Sequence, residues 1–322
     1  MNRNKKKVLV VLGGNSRERQ VSLDSGRACI KALKKIGFKV ISFDPKNKNF
    51  NQIKKDNVDF IFNALHGKEG EDGNAQSYFE YLGIPYTHSG VLTSMKAMNK
   101  EISKYIFNKN KILSPKFFVI NLGEHKNNTL KNLIKKNKLV FPLVVKPIDE
   151  GSSIGVKICK NFNTMKYEIK KLLRDYKKLM IEQFVGGQEI QVAVMKDKAL
   201  GAIELKPKRK FYDYAAKYLK SAKTSHIMPA NLNKKKYSEV MKIAEKAHKA
   251  LECRGVTRSD FKYIKNKFYL LEINTQPGMT DLSLVPEIAK YRKISFENLV
   301  KQILLDASVD RWVKLGKFYV YF

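Results

Sequence analysis

Cysteine is scarce in this chain of 322 residues: Cys29, Cys159 and Cys253 stand far apart and match no metal-binding spacing. That excludes a disulfide framework and fits a reducing, cytoplasmic setting. Acidic residues are also few, 30 against 63 Lys and Arg, which gives a formal net charge of +33. Long apolar runs are missing. The stretch VLVVLGG (8–14) is too short for a membrane span and runs into GGNSRERQ with no small-residue cleavage site. It therefore reads as a first strand, and no membrane insertion is expected. No GxxxxGK[ST] phosphate loop occurs, and GGNSRE lacks the third glycine of a GxGxxG fingerprint. Arginine is sparse within the basic set, at ten of 63. Nucleic-acid surfaces favour Arg interleaved with aromatics. Here Lys is spread along the whole chain, often beside Asn, as in KNLIKKNK and NLNKKKYS. That pattern reads as solvated helix faces, with no specific nucleic-acid partner. A Lys-rich nucleic-acid-binding protein stands as the rival from another functional class.

What is present is the pattern of an α/β protein. The hydrophobic fraction of 43% is ordinary for a globular chain. VLVVLGG, FKVISFD and VDFIFNAL (58–65) read as strands; SLDSGRACIKALKKIG (22–37) and AQSYFEYLGI read as helices ending at Gly37 and Gly83. This β-α-β alternation predicts a parallel sheet over about the first 98 residues. A second segment, 99–186, holds strands near 116–120, 142–147, 156–159 and 178–185. A third, 187–322, follows the hinge Gly186–Gly187 and ends in two strands, VTRSDFKYI and KFYLLEIN.

Those last strands carry chemistry. Side chains alternate along a strand, so Glu272 and Asn274 share one face, and so do Arg258 and Asp260. A hairpin at Lys265–Asn266 gathers all four groups on one surface. Oxygen donors of this kind suit a hard divalent cation, and Arg258 suits a developing anion. The competing reading is a salt bridge of Arg258 with Asp260 or Glu272. In PLVVKPIDEGSSIGV, Lys146 ends a strand, and the Gly/Ser turn that follows offers backbone N–H groups to an anion. In MIEQFVGGQEI, Glu182 and Glu189 flank a hinge whose backbone can pair with an adenine edge.

LGGNSRERQVSL, ALHGKEGEDG, YTHSGVLTSMKAMNK, VVKPIDEGSSIGV, FYDYAAKYL, GVTRSDF and LLEINTQPGMTDLSLVP stand here in one order and spacing. In that order the chain, through about residue 307, resembles the D-alanine–D-alanine ligase family of the ATP-grasp superfamily. The resemblance implies an ATP-grasp fold with an N-terminal Rossmann-like domain. Residues 1–98 would be the substrate domain, and 99–186 and 187–322 the central and C-terminal ATP-grasp domains. It implies ATP, two Mg²⁺ (or Mn²⁺) ions and two D-alanine molecules, and a homodimer. Lys100, Lys146 and Lys217 would contact phosphates. Glu182 and the backbone of Gln183 and Val185 would address adenine, and Glu189 the ribose. Asp260, Glu272 and Asn274 would hold the metals. Glu18 would pair with the first D-alanine's ammonium, with His66 nearby. Ser152 and Tyr218 would join Glu18 in closing the site, and Arg258 and the Gly278 N–H would receive the oxyanion. Ser283 and the Leu284 N–H would bind the second carboxylate at a helix start. Gln20, Gln183 and Ala215 depart from the family pattern. Members that join D-lactate lack the lid tyrosine, and AAKY here keeps it, so the acceptor implied is D-alanine, with D-lactate or another D-amino acid as the alternative. The tail DRWVKLGKFYVYF reads as an added strand or packing segment.

Overall fold

In a computed structural model, described over residues 6–53, 57–206, 224–280, 282–310, 312–315 and 318–321, the chain groups into two compact units. One comprises Met1–Met95, Glu252–Thr257 and Thr275–Phe322, the other Lys96–Leu251 and Arg258–Asn274.

In the first unit the apolar run KVLVV forms β1 (Lys7–Val11), with Val8, Val10 and Val11 wholly buried. Such a strand belongs at a sheet centre. β2 (Lys39–Phe43) and β3 (Phe60–Asn63) pair with it in parallel on either side, as the alternation predicts. The crossover α1 (Arg19–Lys35) buries Ser22, Ser25, Cys29 and Ala32, a three-to-four-residue rhythm that makes one inward stripe. α2 (Asn74–Leu82) ends at Gly83 in the left-handed conformation, the helix stop expected from the sequence.

The second unit contains two sheets. α3 (Val91–Met98) runs across the division at Met95, and α4 (Lys100–Lys109), whose start is capped by the Asn99 side chain, follows within the second unit. β4 (Phe117–Asn121), β5 (Leu143–Pro147), β6 (Lys157–Cys159) and β7 (Lys178–Gln183) form a four-stranded antiparallel sheet in the order β4-β7-β5-β6. α5 (Asn127–Lys136) and α6 (Phe162–Leu172) cover it, enclosing Ile120, Leu130, Leu143, Met165, Ile169 and Ile181. β8 (Gln188–Met195), β9 (Lys198–Lys206), β10 (Ser225–Ile227), β11 (Val256–Ile264) and β12 (Lys267–Asn274) form the other, ordered β10-β9-β8-β11-β12. α7 (Lys234–Ala250) packs on β8 and β9.

α8 (Leu284–Tyr291) and α9 (Phe296–Leu305) complete the first unit, where α9 packs on α1. The tail contributes two short antiparallel strands, β13 (Trp312–Leu315) and β14 (Phe318–Tyr321). All three cysteines are buried and free.

The expected hinge separates β7 from β8, and its two glycines are not equivalent. Gly187 has φ +89, and a Cβ there would lie 2.3 Å from the Tyr263 carbonyl oxygen on β11. A Cβ on Gly186 would meet only Phe184 at 3.7 Å, an ordinary contact. Gly187→Ala is therefore expected to lower stability by more than about 1 kcal/mol, since both strain and clash oppose it, while Gly186→Ala stays near neutral. Urea unfolding of both variants checks this; equal midpoints would contradict it.

Candidate active site

The last two strands pair as the alternation requires. Arg258 lies opposite Asn274 and Asp260 opposite Glu272 across β11 and β12. The two-residue turn Lys265–Asn266 has φ of 48° and 61°, the geometry whose twist suits a tight hairpin. One feature was not foreseen. The register slips between Asp260 and Phe261, so Leu271 is an extra residue on β12. A bulge of this kind re-aims side chains. Here it lets the neighbours Leu271 and Glu272 both face the same cavity. That cavity, of about 550 Å³, lies within the second unit, and Lys100, Lys146, Glu182, Val185, Glu189 and Asp260 are among the residues lining it.

The charges around it are mutually paired. Asp260 accepts two hydrogen bonds from the Arg258 guanidinium, at 2.7 and 2.9 Å, so the salt bridge weighed from sequence is present on the same face as the oxygen donors. Lys100 Nζ stands 3.4 Å from Glu272. Lys262, which sequence reasoning did not single out, donates to Glu189 at 2.7 Å. Glu182 is buried, with Lys146 Nζ 2.5 Å from Oε1 and Lys104 Nζ 3.0 Å from Oε2. Lys104 was missed altogether. It lies one turn beyond Lys100 on α4 and is wholly buried, yet in a Lys-rich helix nothing marks it off from a solvent-facing residue.

Two ammoniums on one carboxylate leave this buried cluster with a net positive charge. Burial lowers the Lys104 pKa to about 8 against the attraction of Glu182, with a smaller contribution from repulsion by Lys146. For Glu182, burial pushes the carboxyl up, but attraction to Lys104 and Lys146 outweighs it and holds it below the usual range. Burial thus disfavours the charged lysine, while the two neighbouring lysines favour the charged carboxylate. Lys146 carries this charge to the cavity wall.

The Gly/Ser turn after β5 has an unusual backbone. Ser152 and Ser153 have φ of 49° and 61°, a conformation non-glycine residues seldom adopt, and Gly155 follows at 71°. Successive left-handed residues turn N–H groups into a concave nest. Gln183 uses its side chain on Val140 and its N–H on the Lys116 carbonyl. The two carboxylates and one carboxamide of Asp260, Glu272 and Asn274 fit a hard cation in donor chemistry, and the nearby lysine and arginine show that compensating positive charge is called for there.

The first unit holds another group of expected residues. Glu18 is buried at the start of α1. His66 is also buried, its Nδ1 2.9 Å from Glu71 and its Nε2 3.2 Å from the Ser25 hydroxyl. Ser283 precedes α8, whose first residue is Leu284, and its hydroxyl accepts from the Thr280 N–H at 2.9 Å. A Cβ on Gly278 would lie 2.8 Å from the Ser283 oxygen, so a larger residue there would have to displace the Ser283 side chain. Lys217, Tyr218 and Ala215 lie outside the described residues.

The chain is similar to known proteins over most of its length. A family model described as D-ala D-ala ligase C-terminus matches residues 106–305, and one described as D-ala D-ala ligase N-terminus matches residues 39–89. The chain is 55% identical over 306 residues to a D-alanine–D-alanine ligase of Pelagibacter ubique, covering 95% of this chain and 99% of that one. It is 43% identical to one from Geotalea uraniireducens, covering 94% and 96%. Among solved structures, a D-alanine–D-alanine ligase from Bacillus anthracis superposes with a TM-score of 0.83 at 34% identity, covering 94% and 97%. The same ligase complexed with ATP gives 0.82 at 31% identity, with the same coverage.

Glu182→Gln keeps the shape and leaves two buried ammoniums without their anion. A stability loss of about 3–5 kcal/mol is expected, larger than that of Lys104→Met, which leaves Glu182 paired with Lys146. Because the folded-state pKa of Glu182 is depressed, its contribution is present above the usual carboxylate range and is lost as pH falls through the folded value. The acid limb of the urea midpoint against pH should therefore flatten in Glu182→Gln. An acid limb matching that of the wild type would contradict the assignment.

Proposed function

The chain belongs to the D-alanine–D-alanine ligase family, and from that premise we propose how its residues divide the reaction. It is an ADP-forming ligase that joins two D-alanines to D-alanyl-D-alanine using ATP, through an acylphosphate, for peptidoglycan precursor synthesis. The observation that carries the reading is the β11–β12 pairing, which puts Arg258, Asp260, Glu272 and Asn274 on one face beside a cavity lined by Lys100, Lys146 and Lys262.

In this reading the second unit handles the nucleotide. Lys146 and Lys100, on the cavity wall, balance phosphate charge, and Lys217 joins them. The nest at Ser152–Ser153 donates N–H groups to phosphate oxygens. Glu182, with the backbone of Gln183 and Val185, addresses adenine, and Glu189 addresses ribose. Asp260, Glu272 and Asn274 would hold two divalent cations, Mg²⁺ or Mn²⁺, which when bound neutralise charge on the transferring phosphoryl group. Nucleotide and metal thus become partners for groups that now hold one another.

The first unit handles the amino acids. The Glu18 carboxylate takes the ammonium of the first D-alanine, with His66 close by. The second D-alanine's carboxylate docks at Ser283 and the Leu284 N–H, where a helix start favours negative charge. When the second amine attacks the acylphosphate carbonyl, Arg258 and the Gly278 N–H receive the oxyanion. Tyr218 would serve, with Ser152 and Glu18, to close the site against water. The division into 1–98, 99–186 and 187–322 and a cytoplasmic homodimer are what membership of the family implies. Among the described residues no helix is long and apolar enough to cross a membrane.

ADP release with a panel of D- and L-amino acids, with product masses, tests this. ADP should form with D-alanine and a divalent cation, and the product should be the D-alanyl dipeptide. Equal turnover with L-alanine, or none with any D-amino acid, contradicts it. Glu272→Gln should abolish turnover while leaving the fold intact. Retention within about tenfold, roughly 1.4 kcal/mol of barrier, would remove Glu272 from the metal site.

A further inference from the structure

Ser25 lies on the inward stripe of α1, wholly shielded from water. A buried hydroxyl needs partners, and this one has two. Its oxygen accepts from the Met279 N–H at 3.0 Å, and it stands 3.2 Å from His66 Nε2. On the far side of the ring, His66 Nδ1 is 2.9 Å from Glu71 Oε1. A neutral imidazole with its proton on Nδ1 satisfies the whole run. Met279 N–H donates to Ser25, Ser25 O–H donates to Nε2, and Nδ1–H donates to Glu71. Both ring nitrogens are then engaged by the protein itself, and neither is turned to a substrate.

The other end of the same loop is also tied. Gln276, only 2% exposed, accepts from Asn63 Nδ2 at 2.8 Å and donates to the Leu65 carbonyl. The residues from Gln276 to Met279 are therefore anchored two positions before Gly278 and one position after it, both times to the end of β3 or the facing side of α1. The peptide between the anchors has little freedom to rotate.

We infer that Ser25, His66 and Glu71 form a positioning chain that fixes the Gly278–Met279 peptide, and so aims the Gly278 N–H, without touching substrate. The inference rests on the ligase reading, because the direction of that N–H matters only where anionic charge develops beside it. A donor fixed in advance stabilises charge without reorganising, and a small misplacement loses much of the effect. This assigns a role to Ser25 and Glu71, and moves His66 from substrate contact to support of the backbone.

The experiment is a double-mutant cycle on the full chain: wild type, Ser25→Ala, His66→Gln and the pair, with steady-state kinetics in both substrates and melting temperatures. Each single change should lower kcat by about tenfold to a hundredfold, with KM for ATP unchanged. The pair should be no slower than the slower single variant, because either change breaks the same chain. Glu71→Gln reads the chain from its far end and should also lower kcat at unchanged KM for ATP, which keeps the test open if Ser25→Ala folds poorly. Multiplying effects in the pair, with KM for D-alanine raised by His66→Gln alone, would instead make His66 a direct substrate contact and overturn the inference. So would a lower melting temperature with kcat unchanged. Wild-type turnover with D-alanine tests the ligase reading separately from the variant pattern.

Discussion

The pairing register of β11 with β12 is the constraint on which the rest of the candidate site depends. Strand side chains alternate with a period of two, so a slip of one residue sends every one of them to the opposite face. The two-residue turn at Lys265–Asn266, both residues in left-handed conformations, leaves little room for such a slip. Given that register, Arg258, Asp260, Glu272 and Asn274 must share a face. The bulge at Leu271 then adds what a regular strand could not. It places an apolar residue and a carboxylate side by side on the cavity wall, so one strand supplies a surface for a flat ring and an anchor for charge.

The buried lysine pair sets the electrostatic character of the second unit in the same way. A single Lys146–Glu182 pair would be neutral. Adding Lys104 behind it makes the cluster cationic where water is excluded, and there a charge interacts strongly with any ligand. Lys104 does not line the cavity, so it acts through Glu182. It holds one carboxylate oxygen while Lys146 holds the other, which fixes the Lys146 ammonium at the wall.

Much of this was legible in the sequence, for definite physical reasons. Period-two alternation gave the common face of Glu272 and Asn274, and apolar runs between helix stops gave the parallel sheet of the first unit. The Gly/Ser stretch after β5 announced an irregular turn. What stayed hidden was whatever depends on a partner far along the chain. Lys104 looks like any lysine on a basic helix until Glu182, on β7, is brought against it. Gln276 looks like a solvated loop residue until Asn63 and Leu65 meet it. Ser25 reads as a small residue on a helix face, and its use by Met279 joins positions more than 250 residues apart in sequence. The Leu271 bulge was equally invisible, since no glycine or proline marks it.

The density of charge pairs around the cavity follows from what such a site must bind. An unpaired buried carboxylate or ammonium costs several kcal/mol, so a fold cannot keep its ligand-binding charges isolated. The structure answers by pairing four of the acids around the cavity with bases inside the same unit: Asp260 with Arg258, Glu272 with Lys100, Glu189 with Lys262, Glu182 with Lys146 and Lys104. Each such pair can open only when a ligand offers both members new partners of the right sign. A nucleotide with bound cations does so, since phosphate oxygens take the lysines while the cations take the carboxylates. An isolated anion satisfies one member and strands the other. The pairing therefore favours nucleotide and cation together over either alone, a selectivity that arises from the cost of leaving buried charge unmatched and needs no contact specific to the pair.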